Sequence, residues 1–83
     1  MKLEIIEWID SMGVNPLWTH ISDMENHVCK CKSVGYIVQE TNEFIVIAPN
    51  IADAENDPQV CGHMVIPKCA ILKRDVQSVI QNI

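Results

Sequence analysis

Residues 28–40, VCKCKSVGYIVQE, decide the fold of this chain. Val34, Tyr36 and Val38 fall on one face of an extended strand and Ile37 on the other, so the run reads as a β-strand. Gly35 within it predicts a bend or a close backbone approach, because a strand-interior glycine has no side chain to pack. Thr41-Asn42 follows, and asparagine tolerates the positive φ of a tight turn, so a hairpin to EFIVIAP is expected. Phe44 to Ala48 is apolar on both faces, as a central strand would be, and Pro49 ends it.

Upstream, KLEIIEWID admits either a short helix or a strand, and a strand ending near Asp10 is the preferred reading. Gly13, Asn15 and Pro16 then interrupt regular structure. LWTHISDMEN, residues 17–26, reads as a polar loop or a single helical turn anchored by Trp18 and Ile21. Downstream, NIADAENDPQ is the longest polar interval, with Asp57-Pro58 as its strongest turn signal. VCGHMVIPKCAILKR predicts a strand, a break at Pro67 and a second strand at Ala70, Ile71 and Leu72. Asp75 can cap a short C-terminal helix carrying Val76, Val79, Ile80 and Ile83 at helical spacing. The expectation is one mainly β domain spanning 1–83: five short strands in a small SH3-like barrel, with a long first loop and a short C-terminal helix.

Composition supports a packed core: 83 residues, 48% of them apolar, and only four aromatics, Trp8, Trp18, Tyr36 and Phe44. Isoleucine and valine must therefore form most of that core, and their branched Cβ favours strands. The net charge is −5, and no lysine or arginine lies between Lys32 and Lys68, while Glu40, Glu43, Asp53, Glu55 and Asp57 do. A phosphate backbone is held chiefly by Lys and Arg, so general nucleic-acid binding is not expected. Glu4, Glu7 and Asp10 interrupt the N-terminal apolar stretch, which therefore lacks the h-region of a secretory signal and the roughly 20 apolar residues of a membrane span. A cytoplasmic location with reduced thiols is the expectation.

SVGYIV at 33–38, FIVIAPN at 44–50 and GHMVIPKCAILKR at 62–74 resemble SH3-like and Sm-like small β-barrels, in which a tight turn often precedes the last strand. Together with EWIDS at 7–11 and Trp18, they also resemble small proteins encoded by tailed phages and prophages. In those, a tryptophan-containing first strand precedes an SVG strand and an IPK-A-I ending. The resemblance implies a non-enzymatic accessory or counter-defence protein in the host cytoplasm that binds a host protein or sequesters a small nucleotide signal. It brings no catalytic residues to positions of this chain. An Sm-like RNA-binding ring and a small zinc-stabilised interaction domain are the alternatives.

Candidate site residues follow from the few side chains with suitable chemistry. Lys68, Lys73 and Arg74 form a small local basic group that could face phosphates, with Lys30 and Lys32 the other basic residues after Lys2, and Trp18 could stack a base or anchor a partner. In a small barrel, however, a tryptophan such as Trp8 or Trp18 more often closes one end. Cys29, Cys31, Cys61 and His63 offer soft and imidazole donors for zinc, with His27 and Cys69 nearby in sequence. C-x-C on an extended strand departs from the usual zinc-knuckle spacing, so free thiols and no cofactor are the preferred reading. Cys61 and His63 could support nucleophilic chemistry only in contact, and no local signature accompanies them. Glu40 and Glu43, flanking the predicted turn, read as solvated. Asp53, Glu55 and Asp57 lack the glycine and terminal glutamate of a calcium loop. With so small a core, self-association into a homo-oligomer is expected, either through the C-terminal apolar stripe or with that stripe folded over the barrel.

Overall fold

The computed structural model describes residues 1–11, 13, 16–24 and 27–78. The chain is mainly β, with seven strands among the described residues: β1 (Leu3–Asp10), β2 (Cys29–Glu40), β3 (Phe44–Ala48), β4 (Asn50–Ala52), β5 (Gln59–Cys61), β6 (Met64–Pro67) and β7 (Ile71–Gln77). Five of them form one antiparallel sheet in the order β6-β3-β2-β1-β7, and β4 and β5 form a separate hairpin. β2 is the organising element. Its first half, Cys29 to Tyr36, pairs along the whole of β1, and its second half, Tyr36 to Glu40, pairs with β3.

Gly35 stands where β2 passes from one partner to the other. A Cβ there would lie 2.7 Å from the Ala48 carbonyl oxygen and 2.9 Å from Ile47 Cγ1, so the close backbone approach expected from the sequence is present and excludes any side chain. The hairpin after β2 closes on Thr41: its N–H donates to the Phe44 carbonyl at 2.9 Å, and its hydroxyl accepts from the N–H groups of Glu43 and Phe44. The core is the set Ile6, Ile45, Ile47 and Ile66, with Trp8, Ile37 and Ile71 packed against it. Ile6, Ile45 and Ile66 are completely buried, each contributing about 1.5–3 kcal/mol of apolar burial. Trp8 spans the edge of this core and satisfies its indole by donating to Ser33 Oγ at 3.0 Å.

Three expectations are corrected. The sheet is not a closed barrel: among the described residues its edge strands β6 and β7 share no ladder and are joined by a 3₁₀ turn at Lys68–Ala70. No C-terminal helix is shown either. Asp75 and Val76 lie inside β7, because the free edge of β1 takes the chain into a ladder as far as Leu3↔Gln77. Val79, Ile80 and Ile83 lie outside the described residues. The stretch from Val60 to Ile66 is not one strand. Gly62, at φ +74°, ends β5 before β6 begins, and the polar interval ahead of it supplies strand β4, the connection over residues 53–58 and the first residue of β5. Among the described residues no helix is long and apolar enough to cross a membrane.

Candidate functional site

Two groups of residues stand out. The first is ionic and lies on the core face of the sheet. Side chains alternate along a strand, so burial of Ile6 places Glu4 on the same inward face of β1. The register sets Arg74 of β7 directly opposite Ile6 and therefore diagonal to Glu4. Glu40 reaches this face by a different route. A register shift between Ile37 and Gln39 inverts the alternation in β2 and pairs Glu40 with the buried Ile45.

The result is a continuous charge network. Glu4, only 2% exposed, accepts two bonds from Arg74, Nε to Oε1 and Nη2 to Oε2, both at 2.9 Å. The same guanidinium donates to Glu40 through Nη1 at 3.1 Å and Nη2 at 3.0 Å. Lys68 Nζ, from the turn after β6, closes the chain at 2.8 Å from Glu40 Oε2. Two carboxylates and two cations cancel, and the planar fork of arginine suits two-pronged pairing as lysine would not. Hydrogen bonds from Arg74 and then Lys68 pull the Glu40 carboxyl down to about 2, while Glu4 and then Glu40 raise the Arg74 guanidinium above its ordinary range. Four segments, β1, β2, the 3₁₀ turn and β7, are tied together where backbone ladders do not join the sheet edges.

Lys68 and Arg74, read from the sequence as ligand-binding cations, are thus committed to internal partners. Lys73 faces outward, 3.5 Å from Asp75, and Lys32 lies 3.3 Å from Glu7. Within the basic group at 68–74, Lys68 and Arg74 therefore share Glu40 while Lys73 pairs with Asp75. Glu40, expected to be solvated, keeps its side chain 41% exposed and also pairs with both Arg74 and Lys68 at the centre of the network. A shallow concavity of about 290 Å³, lined by Glu7, Lys30, Cys31, Lys32 and Leu72, lies elsewhere on the sheet.

The second group is apolar and exposed. The segment between β1 and β2 carries one 3₁₀ turn, Ile21–Asp23, and presents Leu17, Trp18, Ile21 and Met24 to solvent. Trp18 is 104% exposed. Neither Trp18 nor Ile21 anchors the loop to the core, in contrast to the expectation that tryptophans close the barrel. Only Trp8 does so.

The thiols divide. Cys29 and Cys31 point to one side of β2 with their sulfurs 3.8 Å apart, the Cys31 thiol donating to Cys29 Sγ. Partial burial, followed by this hydrogen bond, pushes the Cys31 thiol up. Cys61 and Cys69 are exposed and unbonded to other cysteines. Among the described residues no three His, Cys, Asp or Glu side chains gather as a metal site, so Cys29, Cys31, Cys61 and His63 do not form one within a single chain. Comparison with protein-family models, curated proteins and solved structures finds no match for the chain.

Proposed function

We propose that the chain is a non-enzymatic binding module, a phage accessory protein that docks on a host protein through the β1–β2 loop with Trp18 as its anchor. The observation that carries this reading is the full exposure of Trp18 beside the exposed Leu17, Ile21 and Met24. A large flat side chain held in water loses apolar hydration on docking, and tryptophan is among the residues that dominate binding energy when buried by a partner. The acidic balance of the chain and its internally paired Lys68 and Arg74 favour a protein partner over a nucleotide signal or an RNA strand.

Affinity purification of wild type and Trp18→Ala from the native host, with mass spectrometry of co-purified proteins and small molecules, tests the proposal. A protein retained by wild type and reduced about tenfold or more by Trp18→Ala is expected. Equal recovery by both forms, or a nucleotide as the sole retained species, contradicts it.

A further inference from the structure

We infer that Cys29 and Cys31 are half of a zinc-class metal site that a second copy of this chain completes. The argument begins with the distance between the sulfurs. Zinc binds thiolate at about 2.3 Å, and a tetrahedron of that radius has an edge of about 3.8 Å between donors. The two Sγ atoms stand 3.8 Å apart before any rearrangement. A disulfide suits the pair less well, since sulfurs at this distance would have to close to about 2.05 Å while two residues of extended strand hold their Cα atoms near the upper limit of disulfide spacing.

Two donors make only half a closed structural site, which takes four. Among the described residues no third metal-binding side chain joins this pair. The missing donors must come from outside the chain, and the surroundings of the pair leave an approach for them. Cys29 is exposed and Cys31 partly so. Over Cys29 to Gly35, among the described residues, β2 is paired with β1 on one side only, because β3 joins β2 no earlier than Tyr36. This length of strand therefore offers an unpaired sheet edge beside its thiols, the kind of edge that a second strand readily joins. A two-fold arrangement of two such edges supplies the same two sulfurs twice and satisfies a four-coordinate ion with identical halves. Lys30 and Lys32 alternate with the cysteines along β2 and so project to the opposite face, where Lys32 pairs with Glu7, while Asp10 stands across from Cys29 on β1.

The test uses the full chain, reduced and stripped of metal, titrated with Zn²⁺ and separately with Co²⁺. Metal per chain is read by elemental analysis, mass by native mass spectrometry, and coordination by the Co²⁺ absorption spectrum. The expected result is saturation at about half an equivalent of metal per chain, a doubling of mass on metal addition, and a tetrahedral thiolate spectrum with Co²⁺. Cys29→Ser and Cys31→Ser should each abolish the doubling, whereas Cys61→Ser and Cys69→Ser should leave it intact. Circular dichroism identifies any variant that fails to fold. A monomer throughout the titration, one metal per single chain, or a dimer that survives Cys29→Ser and Cys31→Ser overturns the inference.

Discussion

The ionic network of Glu4, Arg74, Glu40 and Lys68 and the β1–β2 loop around Trp18 invert the usual partition of side chains. In the network, Glu4 is turned inward and buried, Arg74, Glu40 and Lys68 reach it from partly exposed positions, and the described buried side chains leave no polar nitrogen or oxygen without a partner. In the loop, large apolar groups are turned outward. A buried ion pair is seldom a net source of stability against an apolar replacement, but removing one partner is costly because the other charge stays behind. An exposed apolar side chain has the opposite signature, since deleting it leaves the folded chain nearly unchanged and alters only what the surface can bind. Chemical type alone therefore misassigns these residues, and the partners of each side chain decide its role.

The contrast can be attacked most strongly at Arg74. Arg74→Met removes both of the bonds that Arg74 donates to Glu4 and leaves a carboxylate 2% exposed without its paired cation, so equilibrium urea unfolding should show a loss of about 3 kcal/mol. Adding Glu4→Gln to Arg74→Met should restore part of that loss, and a double variant no more stable than the single one would show that the charge left on Glu4 is not the cause. Gly35→Ala comes next. Its Cβ would press on the Ala48 carbonyl at the point where β2 leaves β1 for β3, the passage that delivers Glu40 to Arg74. Destabilisation of about 2 kcal/mol is expected by the same measurement.

Glu40 sharpens the comparison through pH. Its folded carboxyl is held at about 2, below its ordinary value of 4.5, so the unfolded chain binds more protons between those two values. The contribution of Glu40 is complete above about pH 4.5 and is lost as the pH falls towards 2. Urea midpoints across that window should fall with acidification in wild type and fall less steeply in Glu40→Gln, and parallel profiles would remove Glu40 from the network's energetics. Trp18→Ala has the smallest effect on folding, within about 0.5 kcal/mol, and its consequence should appear only in partner capture.

Much of the architecture is legible in the sequence because it rests on local pattern. Alternation and turn chemistry mark β2, the Thr41 hairpin and β3, Pro67 marks the break before the last strand, and Gly35 marks the contact with Ala48. The network is less legible for a specific reason. A one-residue bulge between Ile37 and Gln39 moves Glu40 to the core face, and no residue type announces such a shift. The pairing of Glu4 with Arg74 spans almost the whole chain and depends on β7 joining β1, which a helical reading of Asp75 and Val76 obscures. Trp18 was ambiguous in principle, since a tryptophan serves equally to fill a core or to meet a partner, and only its surroundings distinguish the two. The C-x-C spacing showed that the two thiols share a face, but their separation of 3.8 Å depends on side-chain rotamers.

The central claim, that Arg74 holds the fold while Trp18 serves its surface, is tested most directly by one urea titration of wild type, Arg74→Met and Trp18→Ala in parallel. The account predicts that the Trp18→Ala curve overlays wild type and that Arg74→Met unfolds at markedly lower urea, by about 3 kcal/mol. An Arg74→Met curve superimposed on wild type, with Trp18→Ala displaced in its place, would contradict it.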